Sequence, residues 1–266
     1  MKQQIRDMLS LLRRHPRELI RVDRNLRKLS RLIRYPVQIR RRHLRSRTGP
    51  VRLEEFQRLS PISREFGFDR GQPIDRYYIE RLLARHSKYI RGHVLEIKDA
   101  SYTRRYGGDR VSVSDVLDIA EDNWRATIVA DLTNASHVPS NTFDCIIFTQ
   151  TLHFIYDVHS AVHTLHRILK PGGTLLATFP GTNRTSCRKF SGYYYWCFTQ
   201  LAVQRLFEEY FPAKNVEVEG YGNVLAAIAF LDGLAAEELL QEELDYHDPD
   251  YAVVITLKAI KPESRS

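Results

Sequence analysis

Residues 92–97, GHVLEI, constrain the fold more than any other stretch of the chain. Val94, Leu95 and Ile97 form an apolar run opened by Gly92 and closed by polar residues, too short for a helix and suited to a parallel strand covered on both faces. Glu96 interrupts that run. Nineteen residues after Glu96, at the end of the next β-branched run (Val111, Val113), stands Asp115. Nucleotide-binding α/β folds place the acid that holds a ribose at about that distance. The spacing therefore points to a nucleoside-containing cofactor.

The remainder of the chain alternates in the same way. Residues 125–129 predict a third strand and Phe143–Phe148 a fourth, ending at Thr149-Gln150-Thr151. Asp157 is placed to cap a helix whose apolar stripe is Val158, Ala161, Val162, Leu165, Ile168 and Leu169. Pro171-Gly172-Gly173 turns that helix into a fifth strand, 174–179. Further elements are predicted as a helix at 199–211, a strand at 216–218, a helix spanning about 223–244 and a last strand at 251–260. A helix beginning after Gly71-Gln72-Pro73, with Ile74, Tyr78, Leu82 and Leu83 on one stripe, leads into the first strand. Helices between strands imply a mostly parallel sheet.

Charge divides the chain in two. Residues 1–50 hold 16 Lys+Arg against 3 Asp+Glu, so of a net +8 this segment carries +13 and residues 51–266 carry −5. We accordingly expect a basic arm at 1–50 and one domain at 51–266. Within the arm, Ile5, Met8, Leu9 and Leu12, and then Leu19, Val22, Leu26, Leu29 and Ile33, recur at helical spacing among arginines. Such helices can self-associate, lie on an anionic membrane surface or grip phosphates, and nucleic acid is the least favoured of the three because the body is acidic. Three widely spaced cysteines (Cys145, Cys187, Cys197) make no disulfide framework. With no apolar run near the roughly 18 residues of a membrane span, the expected setting is the cytoplasm, with the arm allowing peripheral attachment at the inner membrane face.

These residues resemble a known family. Val94-Leu95-Glu96-Ile97, the Asp115 acid, Ala130-Asp131-Leu132, Phe143-Asp144, Leu169-Lys170-Pro171-Gly172-Gly173 and Tyr195-Trp196-Cys197-Phe198-Thr199 fall in the order seen in class I S-adenosylmethionine-dependent methyltransferases. The resemblance covers roughly residues 72–261 and is strongest to the small-molecule and glycan methyltransferase group. It implies a Rossmann-like seven-stranded sheet, mostly parallel with an antiparallel last strand, with helices on both faces. It also implies S-adenosylmethionine as cofactor. Glu96 and the turn beginning at Lys98 would face its methionine half, Asp115 the ribose hydroxyls (or Asp118 instead if the strand runs further), Asp131 the adenine amino group and Leu132 the ring. Thr149 and Gln150 would line the pocket floor.

The three positions where the family usually carries glycine hold Lys98, Ala100 and Tyr102. Either Arg104 or Arg105 engages the cofactor carboxylate in compensation, or no cofactor is bound. His153, just past the fourth strand, is the candidate general base. Tyr193, Tyr194, Tyr195 and Trp196 are candidates for an acceptor wall suited to sugar rings or apolar groups. His159, His163 and His166 read as a solvated helix face, and no metal site is expected. The function implied is methyl transfer to an oxygen or nitrogen of a small molecule or cell-envelope glycan. The alternative is an inactive methyltransferase-like scaffold associated with glycan assembly.

Overall fold

A computed structural model describes residues 59–183 and 192–263. The expected arm, its linker and Cys187 lie outside the described residues.

Seven strands form one sheet: β1 Gly92–Ile97, β2 Val111–Asp118, β3 Ile128–Val129, β4 Phe143–Thr149, β5 Leu169–Pro180, β6 Val216–Tyr221 and β7 Val254–Ile260. Their order is β3-β2-β1-β4-β5-β7-β6. The first five run parallel, and β7 lies antiparallel to both β5 and β6. The sheet is therefore the seven-stranded, mostly parallel one with an antiparallel last strand. Val94, Leu95, Ile146, Ile147, Leu175 and Leu176 are fully buried, as expected where β1, β4 and β5 occupy the middle of a sheet covered on both faces.

The helices α1 Ile74–Arg85, α2 Val158–Ile168, α3 Gln200–Glu208, α4 Val224–Asp232 and α5 Gln241–Asp245 complete the order. Asp157 caps α2 by accepting the Ser160 N–H at 3.0 Å, and Ala161, Val162, Leu165 and Ile168 bury the predicted stripe. The expected helix over about 223–244 is instead two helices, α4 and α5. Gly233 ends α4 in the left-handed region (φ +79°), where a Cβ would collide with the Ser63 carbonyl oxygen. Only glycine accommodates both the backbone angle and the approaching chain. The third strand is likewise shorter than expected, pairing only Leu117 with Ile128 and Asp118 with Val129.

Two connections depart from the usual α/β plan. The chain passes from β1 to β2 through a π-helical turn, Thr103–Gly107, and a 3₁₀ turn, Gly108–Arg110. It passes from β2 to β3 through residues 119–127 without an α-helix. The β2 edge is less covered as a result: Val113 is half-exposed, whereas Val116 and Leu117 at the other end of the strand are buried. No helix among the described residues is long and apolar enough to cross a membrane.

Candidate functional site

The chain leaves β1 toward one side of the sheet and β4 toward the other, so the carboxyl ends of these two neighbours open a crevice between diverging connections. The residues that reach it come from the turn after β1, the ends of β2 and β4, and the first turn of α1.

Glu96 is buried, and its carboxylate braces the turn rather than projecting freely. Oε1 accepts the Tyr102 N–H at 3.1 Å, and Oε2 accepts both the Thr103 N–H and the Thr103 hydroxyl at 2.7 Å. Burial pushes its pKa up to about 7, against the pull of those hydrogen bonds. Lys98, at the first usual glycine position, adopts φ +76° with its side chain exposed. The backbone thus takes a glycine-like conformation without glycine. Its N–H donates to the Leu117 carbonyl at 2.9 Å. Asp99 accepts the Ser101 N–H at 2.8 Å. Burial works to raise the Asp99 pKa, but that hydrogen bonding and the nearby Arg104 and Arg125 charges prevail, and it is lowered.

The acid at the end of β2 is not the one the spacing singled out. β2 continues three residues beyond Asp115 and ends at Asp118. Asp115 lies opposite Leu95 within the sheet, its carboxylate taken up by His93 Nε2 and by the Thr127 hydroxyl, each at 2.6 Å. Asp118 stands at the carboxyl end, where Oδ1 accepts the Ala120 N–H at 3.1 Å and Oδ2 the Asn123 side-chain amide at 2.7 Å. Asp131 and Leu132 follow β3, Asp131 exposed and Leu132 buried, with Asp131 Oδ1 accepting the Thr133 N–H at 2.8 Å. After β4, Gln150 turns the chain with φ +46°, its N–H held by the Thr178 carbonyl at 3.0 Å, while the Thr149 carbonyl accepts the Thr151 hydroxyl.

A group the sequence had left uncommitted enters from α1. Asp75 and Arg76 adjoin Tyr102, and a cleft of about 400 Å³ is lined by Phe68, Pro73, Arg76, Ser101, Tyr102 and Arg105 among others. Burial raises the Asp75 pKa, partly offset by Arg76. For Arg76 burial is more than offset by the Asp75 charge and by Tyr102, so its pKa is raised and it stays cationic. Burial also lifts the Tyr102 hydroxyl to about 12. Arg105 is drawn off to Glu80 at 2.8 Å, and the Arg104 side chain is exposed. The cation that hydrogen-bonds Tyr102 in the cleft is Arg76. Its signal in the sequence was weak, because an Asp-Arg pair in a first helical turn is ordinary.

His153 is buried beside the cleft, its ring 4.0 Å from Phe154 and 4.7 Å from Tyr194. Burial, aided by the Arg76 charge, lowers its pKa to about 3, and its Nδ1 has no hydrogen-bond partner. It is a neutral imidazole. The Tyr195 and Trp196 N–H groups both donate to the His153 carbonyl, which fixes the aromatic segment to this turn. Tyr194 points inward against His153 and Phe154. Tyr195 and Trp196 pack outward with Tyr156, at 5.4 and 5.9 Å, and Tyr193 is exposed. Of the four, only Tyr194 joins the site interior. His159 and His163 face Tyr210, and His166 packs edge-on against Phe211.

Residues 100–177 match a family model described as a methyltransferase domain. A 70-residue stretch, 24% of the chain, is 36% identical to the ubiquinone/menaquinone biosynthesis C-methyltransferase of Haemophilus ducreyi and covers 27% of it. The chain thus spans about a quarter of that relative's length. Among solved structures, one likeness is to a SAM dependent methyltransferase from Archaeoglobus fulgidus, with TM-score 0.47, 14% identity, and coverage of 70% of this chain and 94% of that one. Another is to the N-methyltransferase NodS from Bradyrhizobium japonicum WM9 in complex with S-adenosyl-l-homocysteine, with TM-score 0.45, 16% identity, and coverage of 72% and 89%. The methyltransferase-domain match thus begins in the turn after β1 and ends within β5 of a seven-stranded sheet closed by an antiparallel strand.

Proposed function

We propose that the domain binds S-adenosylmethionine at the carboxyl ends of β1 to β4 and transfers its methyl group to an oxygen or nitrogen of a small molecule or glycan. The observation that carries this reading is the turn after β1. It keeps a positive φ at Lys98 and a buried acidic brace at Glu96 although its usual glycines are replaced. The residues fit the cofactor. Asp118 uses only part of its acceptor capacity locally, leaving lone pairs for ribose hydroxyls. Asp131 and Leu132 follow β3 in position to take the adenine amino group and ring, and Arg76 supplies the cation for a carboxylate.

The cofactor supplies an activated methyl group when bound, so the protein's work is mainly alignment and exclusion of water. With Phe154 and Tyr194 packed on its ring, His153 helps keep water from the crevice. An imidazole with a pKa near 3 does not keep a second ring proton at neutral pH, so the role that suits His153 is that of a neutral hydrogen-bonding group orienting the acceptor. Tyr194 completes the inner wall. Tyr156, stacked on Trp196 and edge-on to Tyr195, forms with them an aromatic rim suited to a ring-shaped acceptor.

Calorimetric titration of the full chain with S-adenosylmethionine and S-adenosylhomocysteine tests the proposal. Saturable binding is expected. Absence of heat and of any thermal shift at millimolar ligand would sink it.

A further inference from the structure

Asn123 sits in the middle of the nine residues, 119–127, that connect β2 to β3. Both ends of its side-chain amide are engaged. One N–H donates to the Lys98 carbonyl at 2.8 Å and the other to Asp118 Oδ2 at 2.7 Å, while Oδ1 accepts the Arg125 N–H at 3.1 Å. Both partners on the nitrogen side can only accept and the partner on the oxygen side can only donate, so this orientation of the amide is the one the surroundings allow. The backbone of residue 123 is also fastened, donating to the Ala120 carbonyl and accepting from Ala126.

One side chain therefore ties together the two features on which the cofactor reading rests. Lys98 is an L-residue held in the left-handed region, which its Cβ disfavours and glycine would not. Asp118 is the acid at the end of β2, and a carboxylate held by two donors at its own strand end has one orientation rather than several. We infer that Asn123 is a positioning residue for cofactor binding, which holds the Lys98 turn in a glycine-like shape and aims the Asp118 carboxylate. This inference rests on the proposed cofactor reading. It also accounts for the short connection after β2, since a helix starting there would carry residue 123 along its axis and away from Lys98.

The test uses the full chain with S-adenosylhomocysteine as probe. Asn123→Ala is expected to weaken binding at least tenfold by calorimetry and to speed amide hydrogen exchange across residues 98–103, while the exchange of β4 and β5 stays unchanged. Lys98→Gly in the Asn123→Ala background is expected to recover part of the lost affinity, because glycine adopts the turn conformation without help while the Asp118 carboxylate stays without its Asn123 donor. A merely structural loss would not be repaired in that way. Wild-type protein that binds while Asn123→Ala binds equally well, with unchanged exchange at 98–103, overturns the role of Asn123 alone. A double variant as weak as Asn123→Ala also overturns it. Wild-type protein that binds no probe overturns the cofactor reading and this inference together.

Discussion

Glu96 and Thr103 are joined twice, the Oε2 of the one accepting both the backbone N–H and the hydroxyl of the other at 2.7 Å. A third bond, from the Tyr102 N–H to Oε1, closes the turn over the end of β1. A buried acid that binds its own downstream backbone shapes the site from below, whatever else it contacts.

Removing that brace should be costly. Glu96→Ala leaves the buried Thr103 donors and the Tyr102 N–H without their acceptor, at a penalty of about 2–4 kcal/mol in all. Urea denaturation of the variant should show a lower midpoint with an unchanged slope. A midpoint within error of wild type would mean that water replaces the carboxylate.

Glu96 and His153 should give opposite pH dependences of stability. Glu96 keeps its proton in the folded chain up to about 7, above its ordinary value, so folding takes up protons and stability falls as pH rises through this range. His153, lowered to about 3, loses protons on folding, so stability rises from about pH 3 to its ordinary value near 6.5. Between about pH 4.5 and 6.5 the two slopes, each about 1.4 kcal/mol per pH unit, oppose one another. Denaturant unfolding across that window should show His153→Phe becoming less stable toward higher pH relative to wild type, and Glu96→Gln more stable. Parallel curves for all three proteins would refute both assignments.

Asp118 and Asp115 should separate cleanly. Loss of charged hydrogen bonds to a ribose predicts that Asp118→Ala weakens S-adenosylhomocysteine binding about tenfold or more. Asp115→Ala breaks the contacts to His93 and Thr127 and should lower the melting temperature while leaving affinity within about twofold. The reverse ranking in calorimetry would restore Asp115 as the ribose acid.

Arg70 and Glu238 form a buried bidentate pair with side-chain exposures of 8% and 6%, and Glu238 also accepts the Ala235 N–H at 2.9 Å. Arg70→Met removes a bidentate ion pair from a buried carboxylate, a cost of about 3–5 kcal/mol. Thermal unfolding should shift accordingly. A shift of only a degree or two would show the segment before α1 to be dispensable for stability.

Much of this architecture was legible in single stretches. The apolar runs of β1 and β4, the Asp157 cap of α2 and the aromatic segment after β5 are local signals, because hydrophobic alternation and capping act over a few residues. Which acid stands at the end of β2 was not a local signal. Asp115 and Asp118 each follow a β-branched or apolar pair, and only the register of β2 against β1, with Leu95 beside Asp115 and Ile97 beside Leu117, shows which one reaches the strand end. Arg76 was equally indistinct, since its place beside Tyr102 depends on where α1 docks.

The amino-acid sequence by itself thus determined the strand and helix order, the parallel sheet and the family resemblance, all of which follow from patterns within a few residues. The tertiary structure alone decided that α4 and α5 are separate, that His153 is neutral and that Lys98 adopts a conformation its side chain disfavours. Each of these depends on a partner remote in the chain: Ser63 against Gly233, Arg76 and Tyr194 around His153, Asn123 and Leu117 on Lys98. Burial and hydrogen bonding between such partners exist only once the sheet has assembled, and no local propensity encodes them.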